Sequence, residues 1–267
     1  MNFLQWNEVQ LITFFHVLVR VTSFVMLLPM LGDKAIPPIV KILFGFALAC
    51  VLHPMLWGQG LRVPVSILNS PNQLIGSVIS EVVFGAFVGF VGRWIFDAVQ
   101  FAGHFAGTAM GFSMASVMDP HTETQTISFA ELQYVMAALL FLAMNGHHTY
   151  LRALVESFQA VPLASPKILT VNQSVFDYLI HMSSEVLALG FKLSAPVVVV
   201  IFIVNMTFGI LARAVPQLNL LVVSFASNII IGMIIAFISI PSFMGMVNNA
   251  FDVYTPELFN FINLFGK

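Results

Sequence analysis

Two adjacent histidines, a His-Thr-Glu triplet, a serine two residues after a glycine and two central aspartates are the candidates for metal binding, nucleophilic attack or acid–base work. His147 and His148 are neighbours, so on a helix they point about 100° apart. No HExxH pair puts two imidazoles on one face, and His121 and Glu123 flank Thr122 without a third ligand. The pattern favours hydrogen-bonding or interfacial histidines over zinc. Gly111-Phe112-Ser113-Met114 has the outline of a GxSG loop, but Met114 replaces the second glycine and no base accompanies it. Asp97 and Asp119 sit in no motif that would pair two carboxylates. No GxxxxGK[ST] or GxGxxG is present, which leaves phosphate chemistry unsupported. The one cysteine, Cys50, excludes an intrachain disulfide and reads as a small buried hydrophobe. An enzyme is therefore not expected, nor a metal or a cofactor.

Composition dictates the elements that hold these residues. Of 267 residues, 59% are hydrophobic and 8% charged, and the mean hydropathy is +0.95. A soluble domain is about 25% charged, so this chain is expected to be a polytopic, all-α membrane protein. A net charge of −2 leaves no basic patch for nucleic acid. Met1–Arg20 lacks a basic start and carries Glu8, so it reads as a first helix rather than a cleavable signal. Apolar runs long enough to span cover about 9–31, 36–57, 73–92, 94–117, 127–145, 175–212 and 218–247. Six to eight helices are predicted. Pro196 is expected to kink its helix, Pro241 to kink or end its own, and the aromatic tail after 248 to form an amphipathic end helix. The run 196–204 is β-branched but reads as helix, because an open sheet edge is prohibitive in lipid. Arg20, Glu81, Arg93, Asp97, Glu185 and Lys192 lie inside apolar runs. Charges there are costly against lipid, so many faces should meet protein or water. Lysines and arginines are too few to orient the chain.

Three stretches stand apart. Gly85, Gly89 and Gly92 recur at helical spacing and predict close helix packing. Gly103, Gly107 and Gly111 do the same, but there they are joined by Met110, Ser113, Met114, Ser116 and Met118 before the chain turns at Asp119-Pro120. Pliable methionines and free backbone suit either irregular packing or a seal that must deform. In the short turn Arg213–Asn219, Pro216 fixes the backbone. That leaves either a plain hairpin turn or a site where Arg213, Gln217 and Asn219 bond across an interface.

The run ARAVPQLNLLVVSFASNIIIG (212–232) resembles the signature of the FliR family of flagellar export-gate proteins. FLAMNGHHTYLRALVESF (141–158) and MGFSMASVMDP (110–120) are similar to two further family segments, and the order and spacing agree over nearly the whole chain. Many members carry Gly-Phe-Pro where this chain has Ser224-Phe225-Ala226. The resemblance implies a FliP-like part at 1–165 fused to a FliQ-like hairpin at 166–267, present once in a cone-shaped helical complex with FliP, FliQ and FlhB homologues. It places that complex in the bacterial inner membrane at the flagellar basal body, passing unfolded flagellar substrates. It implies a channel plug built from Gly107, Met110, Gly111, Ser113, Met114, Ser116, Met118, Asp119 and Pro120. Subunit interfaces are implied at Arg213, Pro216, Gln217 and Asn219 and at Gly146, His147 and His148. The competing reading is a secondary transporter of a small solute with a broken helix at 103–118.

Overall fold

The computed structural model describes residues 7–32, 36–65, 67, 70–112, 128–165, 173–214 and 220–266. Among them are seven long helices: α1 (Glu8–Leu27), α2 (Pro38–Gly58), α3 (Pro71–Met110), α4 (Ser128–Ala143), α5 (Gly146–Ala160), α6 (Gln173–Ala214) and α7 (Leu220–Gly266). The described residues form no strand, and 196–204 lies within α6. Among the described residues five helices are long and apolar enough to cross a membrane, with α4 and α5 a sixth only if taken together. The chain is an all-α polytopic membrane protein.

Sequence chemistry sets the helix starts. The Asn7 backbone N–H donates to Gln10 Oε1 at 3.0 Å, one half of a capping box. Pro38 begins α2, where its missing N–H would have no helical acceptor.

The apolar runs 73–92 and 94–117 are one helix rather than two, since α3 runs unbroken for 40 residues and stops at Met110. Arg93, the residue between the runs, keeps its amide donor, so nothing there removes a helical hydrogen bond. Pro196 lies inside α6. Pro241 does not end α7, which continues for 47 residues in all and takes in the tail expected to stand apart. In an apolar setting a broken helix leaves amides with no other partner, so one lost bond is tolerated in preference to a break. At 1.5 Å per residue α3, α6 and α7 reach roughly 60–70 Å, about twice the hydrocarbon thickness.

The described chain forms two compact units that share these long helices. Unit 1 comprises 1–94, 145–181 and 253–267. Its core is the fully buried face of α1 (Val17, Val21, Phe24) with Phe84 of α3, Leu154 and Phe158 of α5 and Phe261 of α7. The aromatic tail belongs here, with Phe265 meeting Phe84 edge-on at 5.4 Å between centroids. Glycines let α1 and α3 approach: a Cβ on Gly89 would lie 2.8 Å from the Phe24 carbonyl oxygen, and one on Gly85 would collide with that of Arg20. The packing expected for this glycine set is what the helices show. Unit 2 comprises 95–144 and 182–252. Phe96 anchors it, with Phe141 and Phe251 edge-on at 5.5 and 5.7 Å.

Candidate functional site

The end of α3 carries the first three residues of the segment singled out in the sequence. A Cβ on Gly103 would lie 2.5 Å from Ala130 Cα, so this glycine seats α3 directly on α4. One turn on, Gly107 is buried. Met110 is wholly buried in a cluster with Ala106, Phe129, Val197 and Ile201. Its side chain rests on the bare backbone of Gly232 in α7, where a Cβ would come within 2.6 Å of the Met110 Cγ.

The helix then stops. Gly111 has φ +93°, open to glycine and strained for other residues. Its N–H donates to the Thr108 carbonyl at 3.0 Å, and the Phe112 N–H donates to the Gly107 carbonyl at 3.0 Å. These are the two bonds of a Schellman cap. The Phe225 ring closes on the same point, 3.0 Å from where a Gly111 Cβ would be. Phe225 belongs to the Ser224-Phe225-Ala226 stretch in which this chain departs from the resembled family. Ser113, Met114, Ser116, Met118, Asp119 and Pro120 lie outside the described residues. The site therefore has a packed base at Gly107 and Met110 and a defined exit at Gly111.

Gly111→Ala is expected to destabilise the protein by about 1–2 kcal/mol from left-handed strain, before any clash with Phe225 is counted. Thermal unfolding of the detergent-solubilised protein reads the loss. Phe225→Ala in the Gly111→Ala background should recover the steric part and leave the strain.

The second candidate region opens α5. Asn145, in left-handed conformation at φ 56°, precedes Gly146, and its carbonyl accepts the His148 N–H at 3.0 Å. The His147 and His148 rings are 4.2 Å apart between centroids, tilted by 45°. His147 Nδ1 is buried without a hydrogen-bond partner, and His148 is exposed. Among the described residues no three His, Cys, Asp or Glu side chains form a metal-holding group, and His121 and Glu123 lie outside them. Arg213 is exposed in the last turn of α6. Pro216, Gln217 and Asn219 are outside the described residues.

The most elaborate polar arrangement was only half legible in sequence. Arg20 and Glu81 stand out there as charges in apolar runs, but nothing pairs residues 61 positions apart. Both are fully buried in unit 1 and form an ion pair through Arg20 Nε and Glu81 Oε2. Arg20 Nη1 donates to the carbonyls of Ser157 and Val161 at 3.0 and 2.9 Å. Glu81 Oε1 accepts the Ala164 N–H at 2.7 Å. The guanidinium carbon lies 4.8 Å from the Phe84 ring centre and 4.6 Å from that of Phe158. Nη2 has no hydrogen-bond partner, so these rings are the favourable surface its charge meets. One turn earlier on both helices, His16 Nε2 and Ser77 Oγ are 2.9 Å apart and buried. The pair thus ties α1 and α3 to the chain leaving α5.

Comparison with known proteins accounts for nearly the whole chain. The pattern of the family described as bacterial export proteins, family 1, matches residues 11–253. The flagellar biosynthetic protein FliR of Bacillus subtilis is 31% identical over 256 residues, covering 95% of each chain. FliR of Aquifex aeolicus is 27% identical, covering 97% of each. FliR of Escherichia coli is 26% identical over 93% of this chain and 90% of its own.

Proposed function

The chain belongs to the bacterial export proteins, family 1, and from that premise we propose that it is a core, non-enzymatic subunit of the flagellar protein export gate. The observation that carries this reading is the match over residues 11–253 with relatives named as flagellar biosynthetic proteins. In this reading the chain helps to form and seal a channel for unfolded flagellar substrates. It stands once in a complex with FliP, FliQ and FlhB homologues, in the bacterial inner membrane at the flagellar basal body. The exposed apolar faces support such an assembly: Ile210 is 73% and Phe237 75% exposed. Helices about twice the hydrocarbon thickness also suit a complex that rises beyond the bilayer.

The plug of this reading is Gly107, Met110, Gly111, Ser113, Met114, Ser116, Met118, Asp119 and Pro120. Gly107 and Met110 hold the base, Gly111 sets the exit, and pliable residues after it close the channel against ions yet yield to any passing sequence. Gly146, His147, His148, Arg213, Pro216, Gln217 and Asn219 serve subunit contacts, the turn at 213–219 at the cytoplasmic end. The division into 1–165 and 166–267 concerns descent, a FliP-like part joined to a FliQ-like hairpin. The compact units describe contact and interleave along the chain. A solute transporter with a broken helix at 103–118 has less behind it, because the relatives are named as flagellar biosynthetic proteins.

Loss of the gene should abolish export of flagellar substrates while leaving growth and membrane potential intact, with export restored by the wild-type chain. Export that continues at the normal rate in the deletion would defeat the proposal.

A further inference from the structure

Within unit 2 a cleft opens between α4, α6 and α7, with about 510 Å³ of empty space. Phe129, Leu193, Val197 and Phe243 wall it, and no charged residue lines it. Leu132, Met233 and Phe237 line it too and are exposed, so they form its mouth. Gln133 breaks the apolar lining. It is 6% exposed, and its Oε1 is buried without a hydrogen-bond partner. Among the described residues its Nε2 donates to nothing either. The carboxamide lies beside the bare backbone of Gly103 on α3, with Oε1 3.1 Å from where a Cβ would stand. The other polar side chain of the cleft is that of Ser239. Its hydroxyl donates to the Ile235 and Ala236 carbonyls at 2.7 and 3.0 Å, which leaves its oxygen able to accept.

A carboxamide left unmet in an apolar cleft is costly. Hydrocarbon alone fills the space but offers the amide nothing. A charged headgroup finds no counter-ion in the lining. A helix about 11 Å across would use up the space in roughly one turn, whereas a single hydrocarbon tail enters it lengthwise. A hydroxyl both donates and accepts, so it answers Gln133 whichever way the amide is turned, and Ser239 adds an acceptor. We propose that this cleft binds a neutral, single-tailed lipid bearing a hydroxyl, of the monoacylglycerol class. Its hydroxyl meets Gln133, and its tail leaves past Leu132, Met233 and Phe237. The proposal needs only the fold of unit 2 and does not depend on the export-gate reading.

The probe is a monoacylglycerol with a diazirine in its tail, added to membranes from cells that express the full protein with its FliP and FliQ homologues. Its counterpart is the propyl ester of the same fatty acid, which has no hydroxyl. After irradiation, mass spectrometry of the protein's peptides should place adducts at Leu132, at Met136 or between Met233 and Phe243. Normalised to labelling of the other exposed faces, the hydroxyl probe should exceed the propyl ester about tenfold at these sites, the size of one buried hydrogen bond. Gln133→Leu removes the unmet group together with its need for a partner, so the protein should accumulate normally while the ratio falls to about one. Equal labelling by the two probes would mean apolar filling only and overturn the proposal. A cleft left unlabelled while other faces take the probe, or a ratio unchanged in Gln133→Leu, would overturn it as well. Where the variant fails to accumulate, the wild-type ratio decides alone. None of these results bears on whether the protein joins an export gate.

Discussion

Replacing Arg20 with methionine leaves Glu81 buried without its counter-ion, and the expected loss of stability is about 3–5 kcal/mol. The geometry accounts for the size. Glu81 is fully buried, and an isolated carboxylate in such surroundings is far costlier than an unpaired neutral group. The Val161 carbonyl loses its donor in the same variant, whereas the Ser157 carbonyl keeps the Val161 N–H at 3.1 Å. Arg20→Met with Glu81→Met should be milder than Arg20→Met alone, because buried ion pairs replaced together by apolar groups are often neutral. Recovery should be incomplete. Val161 and Ala164 still present backbone groups that the pair had satisfied, each worth about 1–3 kcal/mol if left buried and unmet. Arg20→Lys keeps the charge but cannot reach the carboxylate and two carbonyls together, so it should fall between wild type and Arg20→Met. Thermal unfolding in detergent ranks the four proteins. With Glu81→Met measured as well, a loss in the double variant equal to the sum of the two single losses would show that the pair is not coupled.

Deleting Ser113–Met118 is expected to open an ion leak. The proposed seal is the pliable stretch beyond the Gly111 cap, and narrow apolar closures hold back ions by excluding water. Membrane conductance in cells expressing the assembled complex should rise above that of the intact chain. Met110→Ala is the control. It should cost about 2–5 kcal/mol of stability, as for other buried methionines, without a leak from complexes that survive. The contrast separates the packed base of the segment from its proposed seal. An unchanged conductance in the deletion, with the complex assembled, would refute the plug.

The helices were legible because apolar runs of about 20 residues have few other fates in a chain with 8% charge. Their joins were less so. The gap at Arg93 between two apolar runs looks like a boundary in sequence, yet it is interior to α3, where the neighbouring Gly92 carbonyl accepts the Tyr150 hydroxyl at 2.6 Å. Gly103 and Gly111 look alike in sequence, but one seats a helix against Ala130 and the other ends it with a positive φ. Only tertiary contacts separate those roles. Arg20 and Glu81 were visible as anomalies, whereas their pairing depends on how α1, α3 and the end of α5 come together. The plug and interface assignments came from family resemblance, which periodicity and charge could not replace.

Native mass spectrometry tests the central claim most directly. The chain would be expressed alone and then with FliP and FliQ homologues from the same source, and both preparations extracted in mild detergent. The chain is expected to aggregate alone and, with its partners, to enter one defined complex containing a single copy of it. A monodisperse chain that ignores both partners would rule out a role as an export-gate subunit.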